Sequence, residues 1–287
     1  MTDKVLYLGD TALSAAASYL AAVMLHCNIP FDYIDSATMC TDEQLDQDYC
    51  AVIISDYPST SFRPEHFEQL IAKTRSGTGL IMIGGWESFT GLGGDYHSTP
   101  LAEILPVEMQ NTDDRVNSFS PCIIRLETDH PITAKLPFVT QSVAINGYNR
   151  LCAKPTAKTI LSVKRYCVSF VDEDFEFSEQ SVDPLLVVGQ ELNGRVACYA
   201  GDVAPHWAGG FVDWGDQRHV LQARGAGEVE IGNWYIKFLE ISSNGVPNRS
   251  RESIKEKRCF REMQLLVSPA ARPPLSTPHW LGSYRLR

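Results

Sequence analysis

The residues able to do chemistry in this sequence gather around one stretch, Gly79-Leu80-Ile81-Met82-Ile83-Gly84-Gly85-Trp86-Glu87-Ser88-Phe89. An apolar run that ends on two glycines and then on large and polar residues is a buried strand meeting a sharp turn. Such a turn presents side chains at the rim of a sheet, where open α/β folds hold their ligands. In strand-turn-helix units it also exposes backbone N–H groups that can stabilise an oxyanion. Ser88 could act there as a nucleophile with His206 as its base, and Glu87 as a general base if burial raises its pKa. Trp86 offers only an indole N–H and suits a pocket wall. His206 follows a second buried run, Arg195 to Ala200, in the loop Gly201-Asp202-Val203-Ala204-Pro205-His206-Trp207. The alternatives are a helix-capping hydroxyl for Ser88, a solvated carboxylate for Glu87 and a structural histidine for His206.

Gly84, Gly85, Trp86, Asp56, Asp202 and Trp207 complete the candidate ligand-binding set. The glycine hinge between aromatics, Trp207 to Trp214, could supply a further wall or simply pack against the last helix. Asp56, Asp202, His206 and Asp213 could gather around a cation, but no pair has a recognised ligand spacing, and no metal or other cofactor is expected. The run Gly91-Leu92-Gly93-Gly94 lacks the Gly-Lys-Ser/Thr of a phosphate loop.

These residues need elements to position them. Lys4 to Leu8 predicts a first strand, and Thr11 an N-cap for a helix through Leu13, Ala16, Ala17, Leu20, Val23 and Met24. Phe31 to Asp35 predicts a second strand, Asp42 to Leu45 a brief helix, and Tyr49 to Ser55 a third, buried strand. Pro64 opens a helix through Phe67, Leu70 and Ile71, and Thr78 to Ile83 is the fourth strand. This alternation is the pattern of a parallel sheet covered on both faces. Beyond it, Thr90 to Pro100 is a Gly-rich loop, either functional or mobile. Strands are expected at Cys122 to Leu126, Leu151 to Val163 and Tyr166 to Val171, the last followed by an acidic loop from Asp172 to Glu179. Pro184 to Gly189 and Arg195 to Ala200 flank an Asn193-Gly194 hairpin signal, and Asn233 to Ile241 predicts a last amphipathic helix.

Composition bounds the function. The 287 residues carry a net charge of −10, with 44% hydrophobic and 21% charged residues, as in an ordinary globular protein. That charge argues against a general nucleic-acid binder. From Arg249 onward nine basic residues face three acidic ones, a surplus of +6, against −16 in the body. Residues 246–287, basic and punctuated by proline, are expected to be a loosely ordered tail beside a domain over residues 1–245. The start lacks the features of a signal peptide, and no apolar run is long enough to span a bilayer. The eight cysteines form no CxxC pair and suit reduced thiols, so the expected compartment is the cytoplasm. The expected partner is a small-molecule ligand, with no nucleic acid and no membrane; a homo-oligomer is compatible with the sequence.

The fourth-strand turn resembles the nucleophile elbow of the class I glutamine amidotransferase superfamily. That family reads Gly-x-Cys-x-Gly at this place and forms a γ-glutamyl thioester on the cysteine. Gly84 to Ser88 occupies the matching positions, with Trp86 where the cysteine stands and Ser88 where the last glycine stands. His206 matches the family's catalytic histidine, although Trp207-Ala208 replaces the Pro-Glu that follows it. Ile54-Ser55-Asp56-Tyr57-Pro58 falls where the family places its oxyanion loop. The Gly-Gly-x-x-Ser-Phe turn, Leu105-Pro106-Val107 and the Asp-x-x-Pro-His-Trp loop resemble the subgroup of amidotransferase-like proteins that lack the elbow cysteine. The resemblance covers about residues 4 to 242. It implies a flavodoxin-like three-layer sandwich with a mainly parallel central sheet, elaborated between Thr90 and Gly194 by inserted antiparallel strands. It also implies no ordinary glutaminase activity, since no thiolate is present to attack. A ligand-binding role and a hydrolase or amide-processing role, through Ser88 or Glu87 with His206, are the two functions carried forward.

Overall fold

A computed structural model describes residues 4–244 of the chain, with side chains through residue 240. The expected tail, residues 246–287, lies outside the described residues. The first half alternates as its hydrophobic pattern requires. Strands β1 (Val5–Gly9), β2 (Phe31–Ile34), β3 (Ala51–Ser55) and β4 (Gly79–Ile83) are separated by helices α1 (Ala17–His26), α2 (Asp42–Asp46) and α3 (Pro64–Ser76). All residues of β1, β3 and β4 are buried, which explains their nearly unbroken aliphatic sequences. Thr41 and Gln44 close a capping box on the short α2, and Pro64 occupies the first turn of α3.

The second half contains β5 (Val107–Glu108), β6 (Arg115–Leu126), β7 (Ala144–Asn149), β8 (Cys152–Ala153), β9 (Lys158–Val171), β10 (Asp174–Glu191) and β11 (Gly194–Tyr199). A short helix α4 (Pro205–Ala208), a hairpin of β12 (Arg218–Gln222) and β13 (Glu228–Gly232), and α5 (Asn233–Asn244) complete the described chain. Nine strands form one mixed sheet in the order β2-β1-β3-β4-β11-β10-β9-β6-β7. The pairs from β2 to β11 are parallel and those from β11 to β7 antiparallel. The strand order reverses between β1 and β3, so the crevice at their C-terminal ends is a topological switch point, the usual ligand position in such sheets.

The antiparallel half curls back on the parallel half. Asn149, the last residue of the outermost strand β7, donates its backbone N–H to the carbonyl of Ala200, just beyond β11, at 2.8 Å. A flat sheet could not bring those residues together across three intervening strands.

Two local expectations are corrected. The first helix begins at Ala17, because Asp10 and Thr11 have φ of 51° and 62° and the chain turns left-handed before it can wind into a helix. A residue in that conformation does not serve as an N-cap, which needs extended backbone. The acidic stretch after Val171 is a strand. Only Asp172 and Glu173, with φ of 50° and 68°, form the turn, and β9 and β10 run through it as a long ribbon. Acidic and aromatic residues alternate in Asp174-Phe175-Glu176-Phe177, so one ribbon face is acidic and the other apolar. Phe175 opposes Phe170, with ring centroids 5.1 Å apart, and both rings are exposed.

Because this cross-strand pair stands outside the core, the double substitution Phe170→Ser and Phe175→Ser should cost less than about 1 kcal/mol in urea unfolding. A loss several times larger would show that the ribbon tip is packed in solution.

Candidate functional site

The turn after β4 is held from three sides. Gly84 continues the strand pairing by donating to the Tyr199 carbonyl at 2.7 Å, and a Cβ there would lie 2.3 Å from the carbonyl oxygen of Ala200. Gly85 has φ of 156°, and a Cβ on it would lie 2.3 Å from the Asp56 carboxylate. The two glycines thus let the backbone pass between β11 and the loop after β3.

The fully buried Asn149 clamps Gly85. Its Oδ1 accepts the Gly85 N–H at 2.9 Å, and its Nδ2 donates to the Gly85 carbonyl at 3.1 Å and to Asp114 Oδ1 at 2.8 Å. Asp114, also buried, accepts the N–H groups of Thr90 and Gly91 at 3.1 and 3.0 Å and so orders the start of the Gly-rich loop. That loop is packed: Tyr96 is fully buried and its hydroxyl donates to the Tyr57 carbonyl at 2.5 Å.

Asp56 takes the third side. Its carboxylate accepts the N–H of Glu87 at 2.5 Å and also that of Trp86. Its own N–H donates to Ser88 Oγ at 2.9 Å. The sequence therefore placed Asp56, Gly84, Gly85, Trp86, Glu87 and Ser88 at one locus, and the structure brings them together. Their roles within it differ. Ser88 is fully buried and latches the turn to the Asp56 loop. Glu87 is half-buried, and Trp86 is 43% exposed.

His206 stands on α4, exposed, with its ring centroid 6.1 Å from that of Trp86. Among the described residues no hydrogen bond joins Ser88 or Glu87 to His206. Trp207 faces inward, 1% exposed, and its Nε1–H donates to Asn117 Oδ1 at 2.7 Å. It lies flat on β7, where a Cβ at Gly147 would fall 2.4 Å from the indole. Asp213 pairs with Arg218. Among the described residues no group of three or more His, Cys, Asp or Glu side chains could hold a metal ion.

Four residues that sequence reasoning missed complete the site. Arg115 lays its guanidinium over the Trp86 ring, 4.4 Å from the centroid, while Asp113 holds its edge at 2.9 and 2.8 Å. Asn149 and Asp114 come from a strand end and a loop with no motif. Asp10, which closes β1 at the switch point, could have been found from that topological rule. It is fully buried and accepts from the hydroxyls of Tyr7 and, at 2.9 Å, Ser55.

The carboxyls of this rim share one electrostatic problem. Burial raises Asp202 to about 7, the Asp56 charge adds to it, and the N–H groups of Ala204 and Val203 oppose it. Asp10 is pushed well up, first by burial and then by Asp202 and Asp56. Asp56 is raised by burial against the pull of the Glu87 and Trp86 N–H groups, and Glu87 by burial and then by Asp56. Neighbouring buried carboxyls cannot all ionise, so the rim retains protons at pH values where free carboxyls have lost theirs.

Two outcomes follow. Asn149→Ala strands the Gly85 N–H and carbonyl and one Asp114 contact, and should cost on the order of 3 kcal/mol in urea unfolding. A loss under about 0.5 kcal/mol would sink the clamp. For Asp202, a folded pKa above the unfolded value of about 4 contributes stability that is present below that value and lost as pH rises through about 7. Asp202→Asn keeps the acceptor for Ala204 but cannot ionise. Its stability relative to the parent should therefore rise between pH 5 and pH 8 by on the order of 1 kcal/mol, read by thermal melts. A flat difference would contradict the shift.

Comparison with known proteins bears on the fold and the family. Two solved structures described as cytoplasmic proteins, from Salmonella typhimurium LT2 and Salmonella typhimurium, superpose with TM-scores of 0.65 and 0.67. Their identities are 24% and 23%; the matches cover 85% and 86% of this chain and all of each relative. A Parabacteroides merdae protein described as "Putative thua-like" superposes with a TM-score of 0.52 at 11% identity, over 85% of this chain and 91% of its own. At these identities the likeness is one of fold. No curated protein matches the sequence. Among the described residues no helix is long and apolar enough to cross a membrane. Residues 11–223 match the family described as "Putative glutamine amidotransferase", and the chain belongs to that family.

Proposed function

We propose that this chain is a cytoplasmic amidotransferase-like protein that binds a small polar ligand at the rim formed by the turn after β4, Asp56 and His206, without glutaminase activity. One observation carries the reading: the backbone N–H groups of Trp86 and Glu87 already donate to the Asp56 carboxylate. Acyl transfer needs such donors free and aimed at the developing oxyanion. Here a carboxylate of the protein's own holds them, and an indole stands at the family's cysteine position. What the rim offers a ligand is the exposed face of Trp86, the His206 ring beside it and the half-buried Glu87 carboxyl, which burial and the neighbouring Asp56 push above its ordinary pKa. These can stack on a planar group and exchange hydrogen bonds with a polar one.

The finer architecture belongs to the same reading: a flavodoxin-like three-layer sandwich in which the α1–α5 and α2–α3 pairs cover the two faces of the parallel half. The hydrolase alternative is not favoured. Ser88 is fully buried and its hydroxyl oxygen is engaged by the Asp56 N–H.

Two measurements test this. Incubation with glutamine should release no ammonia above the rate of a heat-denatured control, and release that persists in a cysteine-free variant would overturn the reading. Native mass spectrometry of protein purified from its own cells should show a retained small molecule, lost in Trp86→Ala. A retained mass unaffected by Trp86→Ala and by His206→Ala would move the binding site elsewhere.

A further inference from the structure

Beside the rim lies a cavity of ≈180 Å³ whose lining includes Arg115, Arg150 and Arg165 with Asp113 and Asp114. The volume is well above what a single water needs. The sheet order explains why three guanidinium groups meet here. Arg115 opens β6, Arg150 follows β7 and Arg165 lies on β9, and these three strands are neighbours.

Arginines gathered in this way need anionic partners, and the carboxylates present do not suffice. Asp113 is spent on Arg115, which it holds through both oxygens. Asp114 turns inward to Thr90, Gly91 and Asn149. Arg150 has its Nε 3.9 Å from Asp183 Oδ1, beyond hydrogen-bonding reach. The other oxygen of Asp183 accepts from the hydroxyls of Tyr148 and Ser181 at 2.5 and 2.9 Å. Arg165 Nε is buried with no hydrogen-bond partner. A buried donor left unpaired costs stability, and a charged one costs more.

We propose that this pocket binds a small oxyanion, the phosphate or carboxylate group of a metabolite-sized ligand, between Arg150 and Arg165. The guanidinium fork presents parallel N–H donors whose spacing matches the two oxygens of either group. An oxyanion seated there would satisfy Arg165 Nε and give Arg150 a hydrogen-bonded acceptor closer than Asp183. Arg115 forms the wall nearer the elbow, since its face covers Trp86 and its edge is occupied by Asp113. The site stands independently of the rim reading, because neither Arg150 nor Arg165 belongs to the turn after β4.

The test is a titration of the full chain at constant ionic strength, following arginine Nε–H signals by ¹H–¹⁵N NMR, with inorganic phosphate in one arm and malonate in the other. The signals of Arg150 and Arg165, assigned by their loss in Arg150→Gln and Arg165→Gln, should shift saturably with at least one anion. Each substitution should weaken that binding at least about tenfold. Arg224→Gln, at an exposed arginine outside the pocket, should leave it unchanged. The anion that saturates identifies the group as phosphate or carboxylate. Arg165→Lys keeps the charge but loses the fork, and should also weaken binding if the glutamine variant fails to fold. Shifts that stay linear with both anions, or equal weakening by Arg224→Gln, would overturn the proposal whatever the glutamine assay shows.

Discussion

The side-chain amide of Asn149 is the contact on which the rest of this architecture turns. It satisfies both backbone groups of Gly85 while its main chain pairs with Ala200. That single residue ties the outermost antiparallel strand to the ends of β4 and β11, where the two halves of the sheet meet. It holds the curled edge of the sheet, the start of the Gly-rich loop through Asp114 and the turn after β4 to one another. A buried amide can do this because it carries donors and an acceptor in one rigid plane, and each finds a partner here.

The curl also decides what surrounds the turn. It carries Arg115 over Trp86 and lays Trp207 on β7, while the adjacency of β9, β6 and β7 gathers Arg165, Arg115 and Arg150 at one cavity. The parallel half contributes the carboxyls: Asp10 after β1, Asp56 after β3 and Asp202 after β11. The coupled carboxyls Asp10, Asp56 and Asp202 thus come from the parallel half and the arginines from the antiparallel half. The rim carboxyls lose solvation by burial and repel one another, and both effects raise the pKa of Asp10 and Asp202.

Much of this was legible from residue pattern alone. The aliphatic runs of β1, β3 and β4 and the glycine pair at the turn marked the parallel half and the site's centre. The Asn193-Gly194 signal marked the β10–β11 hairpin. What escaped has physical causes. The β9–β10 ribbon hid because its acidic residues look like a loop until their alternation with phenylalanine is noticed, and because exposed strands lack a buried face to announce them. Thr11 looked like a cap because the left-handed turn at Asp10 and Thr11 is a tertiary consequence: Ser36 Oγ accepts the Thr11 N–H at 3.0 Å. Asn149, Asp114 and Arg115 act across long sequence separations, which no local pattern encodes.

On the proposed reading, what sets this turn apart from an acyl-transfer elbow is an acidic group already in place. In an acyl-transfer site the turn's N–H groups face a space that fills with negative charge only during reaction. Here Asp56 fills that space at rest, and Gly85, lacking a Cβ, is what lets the carboxylate come so close. Hydrogen bonds from backbone N–H groups to a carboxylate are each worth about 1.5–3 kcal/mol, so a neutral substrate carbonyl competes poorly for them. Ser88 adds a second constraint by accepting the Asp56 N–H, which couples the position of the carboxylate to the turn that it caps. Placing a thiol at position 86 would therefore restore a nucleophile without restoring the oxyanion donors. On the proposed reading, Asp56 and Ser88 therefore stand against acyl transfer at this turn as much as Trp86 does.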